Sequence, residues 1–222
     1  MTPLVRVEDV SKTFREGSIE RSVLRGTDLE LHRGEMTSLV GVSGSGKSTL
    51  ISLLAGLMLP DSGTVSFDGD AITELDDVAR AELRASRVGI VLQSGNLIPF
   101  LTATQNVELA MELGGHQDGG RAVELLTELG LGERLHHLPR RMSGGEGQRV
   151  STAVALANDP DLLLADEVTG QLDSANAERV MDVIFDAWRR RGLTVLFVTH
   201  NPDLAGRAER RLVLDGGEVR DL

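Results

Sequence analysis

The 222-residue chain contains no cysteine. Disulfides, thiol nucleophiles and thiolate metal sites are therefore excluded. Aromatic residues make up only 3% of it, and lysine is almost missing: Lys12 and Lys47 stand alone, and arginine carries the rest of the positive charge. Positive charge is itself scarce, with 34 acids against 23 bases and a net charge of −11. That balance argues against a nucleic-acid-binding face, because phosphate backbones reward Lys and Arg. The longest basic run is Arg189–Arg191. Long apolar runs are missing too: the longest, "LISLLAGLML" at 50–59, is too short to cross a bilayer and reads as a buried core helix. The opening "MTPLVRVEDV" shows neither the basic nor the apolar region of a secretory signal. No internal repeat, low-complexity segment or proline-rich linker interrupts the chain. A cytosolic protein of one large domain or two closely packed lobes is expected.

What is present alternates between strand and helix periodicity. Leu4–Val10, Val23–Leu31 and Met36–Val40 read as strands, and Leu50, Ile51, Leu53, Leu54 and Leu57 as a helix closed by "LPDSG". The middle is mostly helical: Leu75, Val78, Ala79 and Leu83 have helical spacing, and Thr102 with Gln105 forms a capping box. "GGHQDGG" at 114–120 marks a break before a helix near 121–130, and Val150, Ala153, Val154 and Ala157 line another helical face. "DLLLAD" and "LTVLFVTH" are strands fit for burial on both faces, Val180 to Trp188 belong to a helix, and "LVLDGGEV" is a hairpin. Strands on either side of a helical stretch predict a discontinuous core of about 1–92 plus 160–222, with a helical lobe of about 93–159 between.

Two motifs carry chemistry on their own residues. "GVSGSGKST" fits the phosphate-loop pattern from Gly41 to Ser48, after a predicted strand and before a predicted helix. Gly44 and Gly46 let backbone amides face phosphates, the helix start favours an anion, and Lys47 reaches the β- and γ-oxygens. A compact ammonium suits that loop better than a planar guanidinium, and Ser48 offers a hydroxyl to Mg²⁺. The second motif is "DLLLADE", an apolar strand ending in Asp166, where a carboxylate can meet Mg²⁺ or its water. Glu167 follows, placed to polarise a water, although acids after buried strands also serve as helix caps. "MSGGEGQRV" sets Ser143, Gly144 and Gly145 before a predicted helix, a second anion-ready turn. His200 after a buried strand, and Gln93 after "VGIVL", read more readily as structural polar residues on their own.

The ordered set resembles the ABC-type ATPase family over nearly the whole chain. The resemblance implies an α/β fold: a P-loop NTPase core with a mostly parallel sheet, an N-terminal antiparallel β subdomain and an inserted α-helical lobe. It implies ATP hydrolysis with Mg²⁺ by a head-to-tail dimer holding two nucleotides at its interface. Gln93 then matches the glutamine that contacts Mg²⁺ and water, and His200 the histidine that contacts the γ-phosphate. Ser143, Gly144 and Gly145 match the signature turn, Asp166 and Glu167 the acid pair after the strand, and Asp173 the acid of the following loop. Phe14 stands where the family places an aromatic against adenine. Gly41, Ser43, Gly44, Ser45, Gly46, Lys47, Ser48 and Thr49 make up the phosphate loop. The signature departs from the family's LSGGQ at Met142 and Glu146, and Gly147 in the first turn costs about 1 kcal/mol relative to Ala. Glu146 is expected to point aside. Val168 replaces a frequent proline, and Gln171 precedes Leu172.

Within the family, "SGNLIPFLTATQNVELAMEL" and "REGSIERSVLRG" look like the macrolide-export and lipoprotein-release branch. Leu97, Ile98, Pro99 and Phe100 serve either lobe packing or docking of a membrane subunit. The expected partners are a second ATPase subunit and separate integral membrane permease subunits, at the cytoplasmic face of the membrane, with no nucleic acid. The alternative is a regulatory, mechanotransmitting ATPase that signals through a membrane partner and moves no substrate. A soluble DNA-repair or translation ATPase lacks support, because no coiled coil, zinc module or second cassette is visible.

Overall fold

The core strands are those whose sequence leaves no polar face. In the computed structural model, which describes residues 2–17, 19–92, 97–116, 118–168 and 174–222, every residue of Leu162–Asp166 and Thr194–Val198 is buried. Each fully buried leucine among them stabilises the fold by roughly 1.5–3 kcal/mol.

In chain order the elements are β1 (Pro3–Glu16), β2 (Ile19–His32), β3 (Met36–Val40), α1 (Lys47–Leu54), β4 (Ser62–Phe67), β5 (Asp70–Ala71), α2 (Asp77–Arg87) and β6 (Val88–Val91). There follow α3 (Ala103–Leu113), α4 (Gly119–Glu128), α5 (Gly144–Leu156), β7 (Leu162–Asp166), α6 (Ser174–Arg191), β8 (Thr194–Val198), α7 (Pro202–Ala205), β9 (Arg210–Asp215) and β10 (Glu218–Asp221). The architecture is mixed α/β, with an N-terminal antiparallel sheet and parallel strands. Two compact units are distinguished, one of residues 1–81 with 194–222 and one of residues 82–193.

In the first unit, an antiparallel sheet runs in the order β2-β1-β4-β5. β1 and β2 are longer than their apolar alternation: the ladder continues through Lys12↔Leu24, Thr13↔Ser22, Phe14↔Arg21 and Arg15↔Glu20. Backbone pairing carries the hairpin past the point where side-chain burial stops. Elsewhere in this unit β3 lies between β8 and β9, parallel to both, and β10 closes antiparallel on β9.

In the second unit, β6 and β7 pair in parallel, and α5 packs against β6, α3, α4 and α6. That surrounding explains why α5 buries Val150, Ala153 and Leu156 together with Arg149 and Thr152. Contact with β6 is close enough to require glycine: a Cβ at Gly89 would lie 2.3 Å from the Ala155 carbonyl oxygen. Asn158 donates through Nδ2 to the carbonyls of Ala85 (2.8 Å) and Ala110 (2.7 Å), fastening the ends of α2, α3 and α5. At the start of α3, Thr102 and Gln105 form both halves of the capping box. Among the described residues no helix is long and apolar enough to cross a membrane.

Candidate active site

Parallel strands place their following loops at one edge, and two of the sequence-predicted groups meet there in the first unit. β3 ends at Val40 and leads into Gly41–Ser48, while β8 ends at Val198 and leads to His200. Leu39 is level with Val198, and the Thr199 amide donates to the Leu39 carbonyl at 3.4 Å. His200 is thus delivered, exposed, to the edge from which the glycine loop departs.

The loop itself is built around backbone. Gly44 (φ +74°) and Gly46 (φ +111°) take left-handed conformations that a side chain would strain. A Cβ at Gly46 would lie 2.5 Å from Val23 Cγ1, and one at Gly41 would lie 2.5 Å from the Leu214 carbonyl oxygen. Lys47 opens α1, is only 5% exposed, and donates to the carbonyls of Gly41 (2.9 Å) and Val42 (3.0 Å). Its charge is therefore held over the loop with neutral partners, ready for an anion. Ser45 Oγ is buried without a hydrogen-bond partner, and Ser43 and Ser48 are exposed. An orphaned hydroxyl, an ammonium without a counter-ion among the described residues and a loop that excludes side chains all fit a polyphosphate. Phe14 lies on β1, is 39% exposed, and has the Lys12 ammonium 6.0 Å from its ring centroid.

The second unit holds the acids and the signature turn. β7 delivers Asp166, buried, at the end where Ala165 is level with Val91 of β6. Glu167 follows with φ +49°, a left-handed conformation costing roughly 1–3 kcal/mol for a non-glycine residue. Such a turn redirects the chain immediately after the strand. Gln148, one turn into α5, donates to the Leu92 carbonyl at 3.1 Å, so α5 touches the residue that precedes Gln93. Gln93 and Asp173, like Gln171 and Leu172, lie outside the described residues.

Ser143 is the N-cap of α5 and forms a full capping box with Glu146: the Glu146 amide donates to Ser143 Oγ (3.2 Å), and the Ser143 amide donates to Glu146 Oε2 (2.8 Å). Arg134 Nε donates to the other carboxylate oxygen at 2.7 Å. The Ser143 amide, the Arg134 guanidinium and the Ser143 hydroxyl lower the Glu146 pKa to about 2. Glu146 therefore points aside, as expected, and the turn is capped despite Gly147. The spacing Ser143-x-x-Glu146 is itself a readable capping signal that the sequence reading passed over. Cβ atoms at Gly144 and Gly147 would meet nothing within 4 Å, so the face of the first turn is open. Among the described residues no cluster of His, Asp and Glu forms a ready metal site.

The sequence profile of the family described as ABC transporter matches residues 24–170. The chain belongs to the ABC transporter family. The cassette is 46% identical over 223 residues to the ABC transporter ATP-binding protein YbbA of Escherichia coli K12, covering 98% of this chain and 97% of that protein. It is 41% identical over 226 residues to the lipoprotein-releasing system ATP-binding protein LolD 1 of Caulobacter vibrioides, covering 99% and 95%. Against the macrolide export ATP-binding/permease protein MacB of Marinobacter nauticus, the identity is 43% over 220 residues, covering 98% of this chain and 34% of that protein. Among solved structures, the dimeric post-hydrolysis state of the ATP-binding cassette MJ0796, bound to ADP and Pi, superposes with a TM-score of 0.94. The two are 37% identical, and the match covers 98% of this chain and 97% of that one. The cassette is an ATPase, with ATP as its nucleotide and Mg²⁺ as the metal of the reaction.

Proposed function

We propose that the cassette works as a head-to-tail pair in which each chain's glycine loop binds ATP and the partner's Ser143, Gly144 and Gly145 complete the site. The observation that carries this reading is the open first turn of α5. Ser143 caps it, Glu146 is drawn back onto its own chain, and no described residue covers Gly144 or Gly147. An anion-ready helix start in a chain that already has its own phosphate loop is best explained by the nucleotide of a second chain.

In this reading Lys47 and the amides of residues 44–49 hold the β- and γ-phosphates, and Phe14 stacks on the adenine. Ser48, Asp166 and Gln93 would hold Mg²⁺, which would supply positive charge to offset that of the phosphates. Glu167, in the left-handed turn that follows the strand, accepts the proton of the attacking water. His200 contacts the γ-phosphate, and Asp173 belongs to the nucleotide site. The whole chain is taken as one ATPase domain, with its core at about 1–92 and 160–222 and the helical lobe at about 93–159.

Closure of the pair drives separate membrane permease subunits, with the cassette peripheral at the cytoplasmic face. The similarity to both the macrolide-export and the lipoprotein-releasing relatives favours export or lipoprotein release. A mechanotransmitting role without a transported substrate is the second reading, and accumulation of substrate in a deletion strain separates the two. The shared site is tested by mixing Ser143→Arg and Lys47→Ala chains. Each alone is expected to be inactive, and the mixture regains ATPase activity because one site of each hybrid is whole. Full activity of Ser143→Arg alone would reject the shared site.

A further inference from the structure

Arg21 stands on β2 at the register position opposite Phe14. Its guanidinium leaves the hairpin and reaches the glycine loop, where Nη2 donates to the Gly44 carbonyl at 2.7 Å. The approach is tight: a Cβ at Gly44 would lie 2.8 Å from the same nitrogen. Acids outnumber bases 34 to 23 in this chain, yet Arg21 forms no ion pair with a described residue. Its neighbour Glu20 is paired with Arg15 at 2.7 Å. Among the described residues the arginine's strong partner is thus a loop carbonyl.

We propose that Arg21 is a positioning residue for nucleotide binding, pinning the Gly44 carbonyl outward so that the Ser45 amide of the same peptide is aimed into the phosphate loop. The inference rests on the reading of residues 41–49 as the nucleotide loop. A trans peptide is planar, so its carbonyl and N–H point in opposite directions, and fixing one fixes the other. Gly44 has no side chain to restrain that peptide, and at φ +74° its backbone is free to rotate between left- and right-handed regions. Inside the loop the Ser45 amide donates to the Val42 carbonyl at 3.2 Å, a long bond that a phosphate oxygen can displace. Ser45 Oγ, buried and without a partner, lies on the same residue. A charged donor outside the loop therefore organises neutral donors within it.

The test compares the intact wild-type chain with Arg21→Ala, Arg21→Lys and Lys47→Ala by calorimetric titration with ATP and with ADP. It also records the backbone amide spectrum of each nucleotide-free protein. Arg21→Ala is expected to weaken both nucleotides about tenfold, the loss of one charge-assisted hydrogen bond, and Arg21→Lys to recover most of that. In steady-state hydrolysis the KM for ATP rises by more than kcat falls. The amide signals of Gly44, Ser45 and Gly46 move in nucleotide-free Arg21→Ala. Wild-type affinity in Arg21→Ala would overturn the proposal, as would weakened affinity with those three signals unmoved, which would place the guanidinium on the nucleotide itself. Failure of the wild-type chain to bind ATP would sink the nucleotide-loop reading, a result distinct from a defect confined to Arg21.

Discussion

Glu146 and Ser143 hold each other across the first turn of α5, each amide donating to the other's side chain, at 2.8 Å and 3.2 Å. The pair shows what the acid does in this glycine turn. The carboxylate is spent on its own chain, between the Ser143 amide and Arg134, and the outer face of the turn keeps its open glycines. Its negative charge lies on the helix side that the dipole favours.

Glu146→Ala removes half of the capping box and the Arg134 pair, and is expected to destabilise the cassette by about 1 kcal/mol at pH 7. Because the folded pKa is lowered, this contribution is fully present above about 4.5, the ordinary carboxyl value, and is lost as pH falls toward about 2. Denaturant unfolding of wild type and variant at pH 7 and at successively lower pH should show the gap narrowing through that window. A gap that is constant with pH would deny the charge a role.

Lys47→Ala withdraws the buried ammonium that spans the Gly41 and Val42 carbonyls. ATP affinity measured by calorimetry should fall at least about tenfold, the scale of a charged hydrogen bond. Unchanged affinity would contradict the assignment of the loop.

Gly89→Ala would put a methyl group 2.3 Å from the Ala155 carbonyl oxygen, which α5 can relieve only by moving as a unit. A loss of about 1–3 kcal/mol is expected from such overpacking. Chemical denaturation measures it directly, and wild-type stability would show that β6 and α5 have room to spare.

Much of this fold was legible because local pattern and burial agree. The five residues Met36–Val40 were read as a strand and form one, and the Thr102–Gln105 box caps α3 as its spacing implied. The same spacing at Ser143–Glu146 passed unread, because the glycines around it drew attention to phosphate and away from capping. The extension of β1 to Glu16 was not legible, since residues 11–16, polar except for Phe14, are held by ladder pairing with β2 and not by an apolar face. Arg21 was invisible for the same reason: only the register that sets it opposite Phe14 brings it to Gly44. Val78, read as part of an apolar helical face, is instead 66% exposed on α2, where Arg80 is the buried side chain. The strands that end at Val40 and Asp166 were readable from their short apolar runs alone.

The shared-site account is tested most directly by light scattering on Glu167→Gln, the variant in which the carboxylate proposed to polarise the water is replaced by an amide. With ATP present and hydrolysis blocked, the molar mass should double relative to the nucleotide-free protein, and adding Ser143→Arg should return it to one chain. A Glu167→Gln protein that stays a single chain at saturating ATP, or that hydrolyses ATP at the wild-type rate, would contradict the account.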